Sequence, residues 1–199
     1  MLTTVFRLLA KTRGARALHP RGVWRTGELR GGVPPFPAEA TVTVRLSKGA
    51  GTRPGWPDVL GLALRVPTES GDWDLLLSST GTGRWSRLVP RFVRRWRDAR
   101  LGTLAPYRYR GELVWFMAVP DDREVPVRFA VHRSGGDTGW QRVAELTLHP
   151  LGPHARDDDV PVAFDPVRTR PAELELAPRW LAVAREKAYE GSRRGHRGS

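Results

Sequence analysis

Residues 56–65 read WPDVLGLALR and residues 71–76 read GDWDLL, and with VRLS at residues 44–47 these runs decide the fold. Apolar residues alternate with other residues through the runs, and Gly, Pro or Asp stands between them. A period of two residues is typical of β-strands that bury one face. The stretch therefore predicts three consecutive strands, at residues 40–47, 59–65 and 74–78.

The same pattern continues on the C-terminal side of this stretch. Residues 111–120, 125–133 and 141–150 are strand-like and are separated by turn-forming residues. On the other side, residues 11–40 mix Gly, Pro and charge, which predicts an irregular segment. We also predict a basic amphipathic helix at residues 91–100 and a helix at residues 178–189. The pattern predicts an α+β domain in which antiparallel strands form a barrel or a sandwich with peripheral helices.

Length and composition favour one globular domain. The chain has 199 residues, of which 40% are hydrophobic, and its eight tryptophans argue against disorder. The absence of cysteine excludes disulfides, thiolate metal sites and cysteine nucleophiles. The formal charge of +12 comes almost wholly from arginine, since lysine occurs only at Lys11, Lys48 and Lys187. We interpret this excess mainly as compositional bias.

The first ten residues are apolar, but they are too short to span a bilayer and lack the features of a secretory signal. We therefore predict a cytoplasmic protein. Its organisation is expected to be an N-terminal segment at residues 1–13, with a short docking helix, a single domain at residues 14–190 and a basic tail at residues 191–199.

Two further segments carry recognisable chemistry. Residues 16–22 read RALHPRG and are followed by Gly27. Residues 162–166 read VAFDP, then Leu174-Glu175, and residues 185–189 read REKAY. Together with the strand-forming stretch above, these segments resemble the heme-dependent catalase superfamily, in particular its small catalase-related peroxidases. The resemblance runs from about residue 14 to residue 197 and is loosest at residues 81–160.

The resemblance implies a catalase-type antiparallel β-barrel with peripheral helices and a C-terminal helix that carries a tyrosine ligand to heme iron. The cofactor is expected to be heme b, and the metal ligand Tyr189. Arg185, four residues earlier on the same predicted helix face, would stabilise the phenolate. Arg16, Arg45 and one of Arg193, Arg194 or Arg197, of which we take Arg193, match family positions where arginine faces the heme carboxylates.

The distal side of the heme is implied by other residues of the same motifs. His19 is the expected general acid–base, since imidazole titrates near neutral pH. Ser47 would orient His19 by a hydrogen bond, and Val44 would lie against the heme. Trp85 and Phe92 are candidates to line the pocket, although such residues usually belong to a core.

The sequence also departs from the family. Catalases place an asparagine after the Trp-Asp-Leu run, to polarise the bound peroxide, whereas residues 77–80 read LSST here. Ser78 is the candidate replacement donor. Lys187 and Glu190 stand where the proximal motif has phenylalanine and aspartate. These changes favour peroxidase chemistry over efficient dismutation of hydrogen peroxide.

The expected function is therefore that of a peroxidase acting on hydrogen peroxide or organic hydroperoxides with an unknown electron donor. Hydroperoxide isomerisation on the same fold is a close variant. The first alternative is a barrel that has lost heme and serves as a non-catalytic binding protein. The second is a protein that binds nucleic acid or another acidic partner through the basic segment. The structural interpretation of the same segment is a solvated helix face with two buried aromatics. Its residues would be Arg91, Phe92, Arg94, Arg95, Trp96, Arg97 and Arg100. We expect neither a membrane nor a nucleic-acid partner, and a homo-oligomer stays open.

Overall fold

The computed structural model of the chain describes residues 21–53, 55–135, 139–150 and 163–177. These residues form ten β-strands. Their bounds are β1 Arg21–Arg30, β2 Glu39–Lys48, β3 Leu60–Thr68, β4 Gly71–Ser79, β5 Leu101–Gly102, β6 Tyr107–Tyr109, β7 Glu112–Pro120, β8 Arg128–Gly135, β9 Gln141–Leu148 and β10 Leu174–Leu176.

Eight of these strands close into an antiparallel barrel. The order around the wall is β7, β5, β4, β3, β2, β1, β9 and β8, and pairing of β8 with β7 closes the ring. The two remaining strands lie outside the ring. Strand β6 pairs with β7 on the same side as β5, further along β7, and β10 pairs with β6. Closure leaves no open edge in the ring, which removes the exposed backbone groups of an open sheet.

The barrel interior is filled by alternate side chains of its strands. Val42, Val44 and Leu46 of β2 are buried in one cluster with Leu62 and Leu64 of β3. An aromatic group extends this core: Trp73 lies 5.1 Å from Phe116, 5.3 Å from Phe36 and 5.7 Å from Tyr107, measured between ring centroids. Because the inward face is packed, any site on these strands must lie on the outward face or at the barrel ends.

The predicted fold class, α+β with peripheral helices, is wrong. The described residues are all-β, and their only helical elements are the 3-10 turns Ser86–Leu88 and Trp96–Asp98. The helix predicted at residues 178–189 with Tyr189 lies outside the described residues, and the described ones include no C-terminal helix. Within the described ranges, no helix has the length and apolar character needed to cross a membrane.

The basic segment at residues 91–100 shows why the helix prediction failed. Val93 exchanges two backbone hydrogen bonds of 2.9 Å with Asp58, which fixes it in an extended bridge beside the residue 49–58 loop. In a helix, Arg91, Arg94 and Arg95 would repel one another at spacings of three and four residues. The bridge to Asp58 and the repulsion among these arginines together outweigh the amphipathic pattern.

Strand β1 is the main element that the sequence pattern missed. It pairs with β2 over ten residues and with β9 over four. A side chain at Gly27 would place its Cβ 2.6 Å from the carbonyl oxygen of Thr147, so the close approach of β1 to β9 requires glycine here. The glycines that made this segment resemble a loop are therefore needed by the strand.

Candidate functional site

The strand registers bring two predicted site residues into one row on the outward face. Ser47 pairs with Gly61, and Gly61 pairs with Ser78. The row continues to Gly22 of β1 and Gly102 of β5. Ser47 and Ser78 thus lie two strand spacings apart, about 10 Å, with only a glycine between them. We call these five residues the serine–glycine row.

Two of the glycines in this row leave no room for a larger side chain. A Cβ at Gly22 would lie 2.5 Å from Arg45 Nε, and one at Gly102 would lie 2.7 Å from Thr80 Oγ1. The three glycines and Ser47 are buried, and Ser78 is half-buried. The Arg45 guanidinium thus lies over Gly22 at one end of the row and the Thr80 hydroxyl beside Gly102 at the other, and the Ser47 and Ser78 hydroxyl groups lie between them.

A ladder of stacked groups borders this row. The Arg45 guanidinium lies 5.8 Å from the Trp24 ring, and Trp24 stacks on Phe164 at 5.4 Å with an interplanar angle of 15°. The Arg65 guanidinium lies 5.8 Å from the Phe164 ring on the next step. Such cation–π and stacking contacts contribute about 0.5–1.5 kcal/mol each. The ladder holds Arg45 beside the row and ties residue 164 to the barrel.

Asp74 forms a second link between the motifs. Its carboxylate accepts hydrogen bonds of 2.7 Å from Arg65 Nε and Nη2 and from the backbone N–H of Asp165. The hydrogen bond to Asp74 is the main cause that raises the pKa of Arg65. Asp74 also donates its backbone N–H to the carbonyl of Thr169. We call this arrangement the Asp74 clasp; it explains the Trp-Asp and Ala-Phe-Asp-Pro motifs by packing, without catalysis.

Asp58, in the Pro-Asp turn, has a similar structural role. Burial disfavours its charged form, but hydrogen bonds from the Ala50, Thr52 and Val59 backbone N–H groups and the Thr52 hydroxyl outweigh this, so its pKa is lowered. The carboxylate fixes the loop between β2 and β3. It is used fully in that way and is not available as a general base.

The structure separates the predicted site residues into three sets. Arg45, Ser47 and Ser78 lie together on the outward face. Val44 is fully buried in the barrel core, on the opposite face of β2 from Arg45, so these two do not face one pocket. The others lie outside the described residues, and their roles stay predictions: Arg16, His19, Arg185, Tyr189 and Arg193.

Two residues near the site differ from expectation. Trp85 and Phe92 are 67% and 59% exposed, so neither is packed in a pocket formed by the described residues. Ser79, the neighbouring serine in the stretch that replaces the catalase asparagine, is completely buried; its hydroxyl donates to the carbonyl of Arg91 at 2.6 Å and accepts from the Leu60 N–H at 3.1 Å. Its neighbour Ser78 is the one that faces outward. No pattern in the sequence distinguishes the two serines except their strand parity.

A metal site formed by protein side chains alone is not seen in the described ranges, where no three His, Asp or Glu residues cluster suitably. His132, on β8, is half-buried, and burial lowers its pKa; among the described residues its ring hydrogen-bonds to the carbonyl of Ala130.

These features define a catalase-like β-barrel. The structure is similar to that of catalase A from Saccharomyces cerevisiae, with a TM-score of 0.60 and 12% sequence identity over 92% of this chain. The chain spans 62% of the length of catalase A. No family model matches the sequence, and no curated protein matches it. At this identity the likeness concerns the fold alone.

Proposed function

We propose that this protein binds heme against the outward wall of its barrel and acts as a peroxidase on hydrogen peroxide or organic hydroperoxides. One observation carries the proposal: on a catalase-like barrel, Arg45, Ser47 and Ser78 converge on one flat strip of wall. The resemblance to the catalases implies a role at the heme for each of these three residues.

The residues present fit a heme group. Its flat ring needs a surface with few protruding side chains, and Ser47, Gly61 and Ser78 at the centre of the serine–glycine row supply one across three strands. The ring also carries carboxylates, for which the planar guanidinium of Arg45 at the edge of the row is suited. Arg16 and Arg193 would add to this, and Tyr189, supported by Arg185, would ligate the iron.

The chain's own groups then have separate tasks. Heme, when bound, would supply the redox chemistry of peroxide cleavage. His19 would move a proton between the two peroxide oxygens, and Ser47 would hold its ring in one orientation. The Ser78 hydroxyl, about 10 Å along the row from Ser47, would donate a hydrogen bond where catalases use an amide. A hydroxyl supplies one donor, so we expect slower peroxide cleavage than in a catalase.

Hemin titration with absorption spectroscopy tests the proposal. We expect a saturable Soret band that Tyr189→Phe abolishes or shifts. Tyr109→Phe, which removes a phenol from β6 outside the row, is the matched control and should leave the band unchanged. His19→Gln should keep the band and slow its change on addition of peroxide.

Failure to bind hemin by a protein shown to be folded by its cooperative melting would refute the proposal. It would favour the alternative of a catalase-like barrel used as a binding protein. A Soret band that is identical in wild type and Tyr189→Phe would show that the ligand is wrong, even if heme binds.

A further inference from the structure

Residues 84–100 carry half of the chain's formal charge on one stretch of surface. The stretch has seven arginines and one aspartate, a net of +6 against +12 for the whole chain. The backbone bridges Thr80 to Pro90 and Asp58 to Val93 lay the stretch along the end of β4 and the residue 49–58 loop. We call it the arginine segment.

Two of the three aromatic side chains of the segment are exposed, as are most of its arginines. Trp85 and Phe92 are 67% and 59% exposed, and Trp96 is half-buried against the core. Six of the arginines are exposed, and in the described parts of the chain no salt bridge pairs any of them with a carboxylate: Arg84, Arg91, Arg94, Arg95, Arg97 and Arg100. The interpretation as a solvated helix face with two buried aromatics therefore holds for the solvated arginines and in part for Trp96. It is wrong for Phe92, which is exposed, and for the helix, since only the 3-10 turn Trp96–Asp98 is found among residues 91–100.

The segment is held in place at its start. The Arg87 guanidinium lies between the rings of Trp115, at 4.6 Å, and Trp140, at 5.8 Å. Trp140 in turn donates its indole N–H to the carbonyl of Thr82. These contacts fix the loop that carries Trp85. Because the loop is already held in place, binding of a ligand to the exposed Trp85 ring would cost little conformational entropy.

We propose that the arginine segment binds single-stranded nucleic acid. Guanidinium groups pair with phosphates, and exposed rings stack on unpaired bases without regard to sequence. A duplex uses its base faces internally, so it offers nothing to Trp85 and Phe92. Trp56, 65% exposed in the loop bridged to Val93, extends the stacking surface on one side.

An anionic membrane surface is the less suitable partner. Arg84 precedes Trp85, and Arg91 precedes Phe92, so charges separate the apolar side chains. Insertion into lipid requires a continuous apolar face, because each charge carried below the headgroups is costly. Alternation of ring and cation suits a polymer that itself alternates base and phosphate.

Fluorescence anisotropy with a labelled oligothymidylate, titrated at several salt concentrations, tests the proposal on the full-length protein. We expect saturable binding. The logarithm of the association constant should fall linearly with the logarithm of the salt concentration, with a slope of about −0.7 for each phosphate contact. Arg94→Gln with Arg95→Gln should reduce the magnitude of the slope by about 1.4. Phe92→Ala should weaken binding about tenfold and leave the slope unchanged.

The matched control removes the same charge elsewhere. Arg108→Gln with Arg128→Gln changes two exposed arginines of β6 and β8. Equal loss of affinity in the two double variants would overturn the proposal, because it would show attraction to net charge alone. So would an unchanged affinity in Phe92→Ala, preferred binding to duplex, or binding to phosphatidylserine vesicles in place of the oligonucleotide. Melting curves confirm that each variant is folded.

Discussion

Replacing Asp74 by asparagine tests whether the Asp74 clasp holds the residue 163–177 segment on the barrel. The change keeps the shape of the side chain and removes its charge. Asp74 is fully buried and accepts three hydrogen bonds of 2.7 Å, two from Arg65 and one from the Asp165 N–H. The variant amide group can accept only part of this set, and it leaves the Arg65 guanidinium without its counter-charge.

The expected cost follows from the burial of the pair. Removing one partner of a buried ion pair typically costs 3–5 kcal/mol of unfolding free energy. Arg65 keeps 25% of its side chain exposed, so water compensates part of the loss and we expect about 3 kcal/mol. For a chain of this length, that lowers the Tm by roughly 6–12 °C. Thermal melting followed by circular dichroism measures the global effect.

The local effect is read by hydrogen exchange. The Asp165 amide should lose protection in Asp74→Asn before the barrel strands do, because its acceptor is the altered carboxylate. The control is Glu39→Gln, which breaks the exposed Arg30–Glu39 pair and should leave the Tm unchanged. Equal melting of Asp74→Asn and wild type, or equal shifts in Asp74→Asn and Glu39→Gln, would refute the reasoning.

Three other predictions follow from the same contacts. Asp58→Ala removes the acceptor of three backbone N–H groups, those of Ala50, Thr52 and Val59, and leaves the Thr52 hydroxyl only its bond to the Pro57 carbonyl, so it should cost at least about 2 kcal/mol at neutral pH. Because the pKa of Asp58 is lowered in the folded state, its contribution is full above the ordinary value of 3.8 and is lost as pH falls through the folded pKa. Urea denaturation should therefore show the two proteins converging in stability at low pH, and a constant difference down to pH about 2 would contradict the assignment. Phe164→Leu removes the stacking of Phe164 on Trp24 and should lower stability by about 0.5–1.5 kcal/mol, measured by urea denaturation; no change would mean that the ladder does not hold. Gly102→Ala forces a Cβ to 2.7 Å from Thr80 Oγ1 and should lower the free energy of unfolding by about 1–3 kcal/mol. Gly139→Ala, where a Cβ has nothing within 4 Å, is the control. Equal melting temperatures of the two variants would count against a tightly packed row.

Strands with a regular two-residue period could be predicted from the amino-acid sequence. Those predicted at residues 40–47, 59–65 and 74–78 correspond to β2, β3 and β4, and the three later ones to β7, β8 and β9. Alternation is a local property, set by one buried face, so a single chain reveals it. The same alternation places Ser47 and Arg45 on one face and Val44 on the other, although the motif alone had grouped all three.

Elements that are held by contacts with residues far away in the sequence could not be predicted and were found only in the tertiary structure. Gly27 is required by the backbone of β9, and Val93 is held extended by Asp58. No local propensity contains these contacts, so β1 was taken for an irregular segment and residues 91–100 for a helix. The serine–glycine row likewise exists only through the registers of five strands. A sequence names the residues of such a row, but closure of the barrel is what aligns them.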